Sequence, residues 1–216
     1  MVKLYVADIS NLPDPLSAPE LLDKLPEERQ QRIHHMKQEN SRKQSMGVGL
    51  LLQKVLALYH MQESQVFIGE HGKPMIDGLE FSLSHSGNLA LCTVSDKPVG
   101  CDVEILREAP KGVASRYYSD REQTYLSGFD GEEYDKAFFR LWTMKESYVK
   151  MTGEGLRVPF EVYEVVMEDG AQVIRDGEMQ GCHLSTMDLQ GHIISICVES
   201  SAHVELIWEN ISLFEV

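Results

Sequence analysis

The chain has no apolar run approaching the ~20 residues that a membrane-crossing helix needs. Its opening, MVKLYVADIS, is broken by Asp8 and is too short and interrupted for a secretory leader. Neither GxxxxGK[ST] nor GxGxxG occurs, so the phosphate-cradling loops of the common nucleotide-binding folds are missing. Cysteine is scarce: Cys92, Cys101, Cys182 and Cys197 form no CxxC pair and show no zinc-ligand spacing. Reduced, buried thiols in a cytoplasmic protein are the expectation. Positive charge is short as well, with 20 Lys and Arg against 34 Asp and Glu and a formal net charge of −14. That balance argues against nucleic acid as a partner, and nothing in the chain points to a membrane.

What is present is an ordinary folding composition. Of 216 residues, 43% are hydrophobic and 25% charged, which suits one domain or two small subdomains sharing a core. One stretch opposes the acidic balance. Between Lys24 and Lys54, seven basic residues (Lys24, Arg29, Arg32, Lys37, Arg42, Lys43, Lys54) meet three acids (Glu27, Glu28, Glu39). A solvated helix face fits this segment, and so does a site for a phosphate-bearing ligand or an acidic partner.

Periodicity gives the elements. Residues 2–8 read as a strand, 26–36 as a helix opened by Pro26, and 41–61 as a longer helix with Leu50, Leu51, Val55 and Leu58 at helical spacing. Strand-like runs follow at 65–68, 79–84, 89–95 and 99–105. Helix is expected over 113–127 and over 132–152, stopped by Gly153 and Gly155. Beyond about 158 the chain reads as β-rich, with turn pairs at 169–170, 176–177 and 190–191. GNLALCTVS (87–95) and GHIISICVES (191–200) echo one another. The echo is either chance or the trace of two similar α/β halves that divide near 106–112.

The stretch VGCDVEI (99–105) raises a physical question. Its alternation turns Asp102 and Glu104 to one strand face, opposite an apolar face, where two like charges repel. On the helix 132–152, Trp142, Glu146 and Lys150 lie at i, i+4 and i+8 and share a face. Glu146 and Lys150 alone would be a surface pair contributing ~0.3–0.5 kcal/mol. Together with Asp102 and Glu104 they supply three hard oxygen ligands and a cation, a set suited to Mg²⁺ and a phosphate-bearing substrate. This points to metal-assisted phosphoryl chemistry without choosing the reaction. FSLSHSG (81–87) adds hydroxyls and His85 at a strand end, and GKP (72–74) adds Lys73.

GKP, FSLSHSG, VGCDVE and WTMKESYVKMTGEGL, in this order over roughly residues 26–160, resemble the surfactin-synthetase-activating (Sfp-type) 4′-phosphopantetheinyl transferases. The resemblance implies an α+β fold of two similar α/β halves related by a pseudo-twofold, with the active-site cleft between them. The halves would span 1–108 and 109–216. It implies a monomeric enzyme that moves the phosphopantetheine arm of coenzyme A onto a serine of an acyl or peptidyl carrier protein. Asp102, Glu104 and Glu146 would hold Mg²⁺, and Lys150 would contact the pyrophosphate. Glu146 or a water bound to the cation would help deprotonate the carrier serine. Lys43, Lys73, Ser84 and His85 would bind the nucleotide end of coenzyme A, including its 3′-phosphate. Glu122 matches a recurrent acidic position of open role. The chain departs from the family on its first long helix, where Glu28 and Gln31 stand at positions that are lysine in several relatives. Rival readings are a Mg²⁺-dependent hydrolase of nucleotide phosphoanhydrides and a non-catalytic module binding coenzyme A or a carrier.

Overall fold

The computed structural model describes residues 1–155, 159–168, 170–200 and 203–210. Its elements follow in order: β1 (Val2–Asp8), α1 (Pro19–Leu22), α2 (Glu27–His35), α3 (Glu39–Leu58), β2 (Phe67–Ile68), β3 (Pro74–Met75), β4 (Glu80–Ser86), β5 (Leu89–Ser95), β6 (Val99–Ile105), α4 (Val113–Tyr117), α5 (Asp120–Leu126), α6 (Gly131–Thr152), β7 (Tyr163–Val166), β8 (Gln172–Arg175), β9 (Glu178–Met179), β10 (Cys182–Leu189), β11 (His192–Glu199) and β12 (Val204–Trp208). Among the described residues no helix is long and apolar enough to cross a membrane.

Two sheets carry the architecture, one ordered β12-β1-β5-β4 and the other β10-β11-β6. Alternation within their strands explains how each sheet is covered. Val2, Leu4 and Val6 of β1, with Leu89 and Leu91 of β5, meet Val99, Cys101 and Val103 of β6 and Ile194, Ile196 and Val198 of β11 in one buried cluster. The residues between them face outward onto helices. Tyr5, Ala7, Ala90 and Cys92 pack on α3 through Leu50, Leu51, Val55 and Leu56, and Ile193 and Cys197 pack with α6 through Phe138, Leu141, Met144 and Tyr148. Strands covered on both faces need near-continuous apolar sequence, which LALCTVS and HIISICVE supply.

The connectivity repeats. A first strand (β1), a long helix (α3), a small hairpin (β2–β3) and a closing hairpin (β4–β5) are matched by β6, α6, β7–β9 and β10–β11. In each set the first strand pairs antiparallel with the last, β1 with β5 and β6 with β11. The two segments of the sequence echo are those last strands, so the echo is structural. The fold is α+β, in two similar α/β sets.

The turn pairs behave as read. Asp176 and Gly177 (φ 53° and 78°) join β8 to β9, and Gln190 and Gly191 (φ 49° and 72°) join β10 to β11, as two-residue hairpins require. The pair at 169–170 includes Asp169, outside the described residues, as is Leu156 of the GEGL stretch. One expected helix is broken: 113–127 divides into α4 and α5. Ser119 caps the second helix, its hydroxyl accepting from the Glu122 N–H while the Glu122 carboxylate accepts from the Ser119 N–H. This capping box stops one helix and starts the next. The run 65–68 contributes only the two residues of β2.

Candidate active site

Glycine decides how close β6 and α6 come. A Cβ on Gly100 would collide with the main-chain oxygen of Ser147 and the main-chain nitrogen of Met151, so a side chain there would push α6 off the sheet. With α6 this near, Glu146 and Lys150 stand over the strand face that carries Asp102 and Glu104. All four line one cleft of about 560 Å³, together with Ser84 and His85 of β4, Trp142 of α6, and Glu28, Arg29 and Arg32 of α2. Its walls come from both sets of elements, and the cleft lies between them.

The question posed by VGCDVEI has its answer here. Lys150 Nζ donates to Asp102 Oδ1 at 2.7 Å and to Ser84 Oγ at 3.1 Å, and Ser84 Oγ donates to Asp102 Oδ1 at 2.9 Å. Glu104 Oε2 accepts from Ser86 Oγ at 2.9 Å and from an Arg107 nitrogen at 3.0 Å. Burial works against the Lys150 ammonium, yet Asp102 and Glu146 outweigh it and keep the group charged. Burial and the neighbouring Asp102 push the Glu146 carboxyl up to about 7, with Lys150 only partly offsetting them. His85 is held below the ordinary imidazole range by the protein around it and by Lys150.

The raised Glu146 value has a measurable consequence for the cation-free protein. The folded state binds this proton more tightly than an ordinary carboxylate at 4.5 does. Its contribution is therefore present at low pH and lost as pH rises from 4.5 through about 7. Relative to wild type, Glu146→Gln should gain on the order of 3 kcal/mol between pH 4.5 and pH 8. Urea melts in chelator at both pH values measure the difference, and parallel pH curves for the two proteins would refute it.

Among the described residues no three His, Cys, Asp or Glu side chains are already drawn together at metal-ligand spacing; Asp102 is engaged by Lys150 and Ser84, and Glu104 by Arg107 and Ser86. The donor set nevertheless fits a hard divalent cation. Asp102 is only 6% exposed, and its second oxygen is buried with no hydrogen-bond partner. A buried carboxylate oxygen left unpaired is costly unless something completes it, and three mutually repelling carboxylates are the oxygen donors that Mg²⁺ takes.

Two of the residues singled out in the sequence lie elsewhere. Lys43 pairs with Glu39 at 2.8 Å, one turn away on α3. Lys73 lines an adjoining hollow of about 240 Å³ that also touches Glu146 and Lys150. Its ammonium donates to the main-chain oxygens of Val99 at 3.3 Å and Met151 at 3.2 Å, so it ties the end of α6 to the start of β6. The sequence reading placed Arg29 and Arg32 only within a basic segment, not individually at the cleft that they line. They sit at i and i+3 on α2, and Gly49 of α3 leaves the room that Arg29 occupies. It also missed Lys145, which donates to both oxygens of Glu122 and to Tyr163 O, each at 2.8 Å, with both charged side chains fully buried. The signal was there: Lys145 shares the apolar face of Leu141 and Tyr148.

Comparison with known proteins agrees with this geometry. The family model of the 4′-phosphopantetheinyl transferase superfamily matches residues 98–197, which include β6 and α6. A 4′-phosphopantetheinyl transferase of Bacillus subtilis is 29% identical over 179 residues, 79% of each chain. The 4′-phosphopantetheinyl transferase Sfp of Bacillus subtilis (strain 168) is 28% identical over 180 residues, 80% of each chain. HetI, a 4′-phosphopantetheinyl transferase of Nostoc sp., is 36% identical over 129 residues, 55% of this chain and 54% of its own. A solved holo-(acyl-carrier-protein) synthase of Bacillus anthracis overlaps 48% of this chain and 96% of its own at 23% identity with a TM-score of 0.41, too weak a likeness to argue from. Carboxylates on β6, the carboxylate and lysine on α6, the matched segment and relatives aligned over four-fifths of the length converge: the chain is similar to the Sfp-type 4′-phosphopantetheinyl transferases.

Proposed function

We propose that this transferase moves the phosphopantetheine arm of coenzyme A onto a serine of an acyl or peptidyl carrier protein, with Mg²⁺ held by Asp102, Glu104 and Glu146. The observation that carries this reading is the convergence of those carboxylates with Lys150 in one cleft between the two halves. Bound there, the cation would offset the negative charge of the pyrophosphate.

The protein's own groups do the rest. Glu146, in the same cleft as Lys150, is placed to accept the serine proton. The serine oxygen then bonds to the phosphorus that bears the pantetheine arm. The bond from that phosphorus to the bridging oxygen breaks, and 3′,5′-ADP departs with the electron pair. Lys150, kept charged by Asp102, donates to phosphate oxygens as charge shifts onto the leaving group. Arg29 and Arg32 supply the positive charge on α2 that Glu28 and Gln31 do not, and they mark where an anionic nucleotide end would lie. His85 lines the same cleft beside them, while Lys73 stabilises the end of α6 on which Lys150 sits. Within this reading the chain acts as a cytoplasmic monomer; because β6 opens the second repeated set, its halves divide between β5 and β6 rather than at 108/109.

The deciding experiment is intact-mass measurement of an apo carrier incubated with the protein, coenzyme A and Mg²⁺. Gain of one phosphopantetheine arm, dependent on the cation, is the expected result. Release of phosphopantetheine without a change in carrier mass would overturn transfer in favour of hydrolysis. Binding with no turnover would favour a non-catalytic module.

A further inference from the structure

β4 and β6 are edge strands of different sheets, and neither sheet's order joins them. They nevertheless run side by side, and three serines of EFSLSHS stand where a main-chain ladder would be. Ser82, Ser84 and Ser86 fall at i, i+2 and i+4, on one face of β4. Their hydroxyl oxygens accept, in the same sequence, from the N–H groups of Cys101 at 3.0 Å, Val103 at 3.2 Å and Ile105 at 3.1 Å. Those are alternate residues of β6, and the two residues between them are Asp102 and Glu104.

A serine hydroxyl has a single hydrogen to donate. Ser84 gives its hydrogen to Asp102 Oδ1 and Ser86 gives its to Glu104 Oε2, both at 2.9 Å. Ser82 makes the same main-chain contact without reaching a carboxylate. The row therefore does two separable things. All three serines satisfy N–H groups at the seam between the halves, those of Cys101 and Val103 buried and that of Ile105 exposed, and only the last two orient a carboxylate.

We propose that Ser84 and Ser86 are positioning residues that fix Asp102 and Glu104 for cation binding. The proposal rests on the reading of those carboxylates as the Mg²⁺ ligands. Glu104 shows the need most plainly, since Arg107 at 3.0 Å competes for the same oxygen. With the Ser86 hydrogen bond in place, the carboxylate is held toward β4 and the cleft. A hydrogen bond of this kind to a metal-ligating carboxylate fixes its orientation and its basicity. The Ser84 hydrogen, committed to Asp102, is not free for a ligand phosphate, so this role differs from the nucleotide contact that the resemblance implies.

The test is calorimetric titration of Mn²⁺, without coenzyme A, into the whole protein and its Ser82→Ala, Ser84→Ala, Ser86→Ala and Ser86→Thr variants, with urea melts of each. Ser84→Ala and Ser86→Ala should bind Mn²⁺ about 10-fold more weakly. Ser82→Ala should bind it as wild type does, although it and Ser84→Ala lose stability because each leaves a buried N–H unpaired. Ser86→Thr, which keeps the hydroxyl, should restore the affinity. Unchanged Mn²⁺ affinity in Ser84→Ala and Ser86→Ala would overturn the proposal, as would an equal loss in Ser82→Ala. If a separate titration of coenzyme A into Ser84→Ala shows weakened binding while Mn²⁺ affinity is unchanged, Ser84 is a ligand contact and the proposal fails there. If wild type binds no Mn²⁺ at all, the cation reading itself falls and this role falls with it.

Discussion

Glu146→Gln is expected to lower carrier modification by at least about 10²-fold, the scale of a lost general base. The same variant is expected to be more stable than wild type at pH 8 in chelator. Glutamine has nearly the shape of glutamate but cannot accept the serine proton as a base, and it is a poorer cation ligand. It also removes a charge that burial, and then the repulsion of Asp102 and Glu104, disfavours, the effects that push the Glu146 carboxyl up to about 7. Activity and stability therefore move in opposite directions, as happens where a site is kept strained for its chemistry. Single-turnover mass spectrometry gives the rate, and urea melts give the stability. A variant with turnover near wild type would sink the catalytic role. A variant that is both inactive and less stable would identify Glu146 as structural instead.

Lys145→Met carries the largest expected loss of stability, about 3–5 kcal/mol. Lys145 is the residue next to Glu146, yet its work is different. Its ammonium, fully buried, is the counter-charge of Glu122 and reaches the main chain of β7 through Tyr163 O. Glu122 in turn accepts from the N–H groups of Ser119 and Val165, so the pair joins α5, α6 and β7. Methionine fills much of the space but leaves Glu122 buried without a cation. The companion variant Glu122→Gln with Lys145→Met removes both charges, and it should lose less than the lysine change alone. Urea unfolding followed by the fluorescence of Trp142 and Trp208 reads both. A Lys145→Met midpoint within error of wild type would show that the pair contributes nothing to the fold.

Much of this was legible in the sequence wherever the information is periodic and local. The alternation of VGCDVEI sets Asp102 and Glu104 on one face whatever the strand packs against. The spacing of Trp142, Glu146 and Lys150 sets their common helix face in the same way. The turn pairs at 176–177 and 190–191 fix hairpin geometry through their own backbone conformations, and the echo of 87–95 in 191–200 marks the closing strands of two matching sets. The motifs read in order were enough to find the family that the chain resembles.

Tertiary structure decided what depends on neighbours distant in the chain. The charge of a lysine is written in the sequence, but its partner is not. Lys43 turns to Glu39, Lys73 to the main chain at the end of α6, and Lys145 to a carboxylate 23 residues away. The three serines of β4 look like a donor cluster for a ligand until β6 is laid beside them, and then their oxygens are taken by its N–H groups. Gly100 reads as a weak point in a strand until α6 is seen resting where its side chain would be. Local periodicity settles which way a side chain faces. Only packing, which brings separate elements together, settles what it meets there.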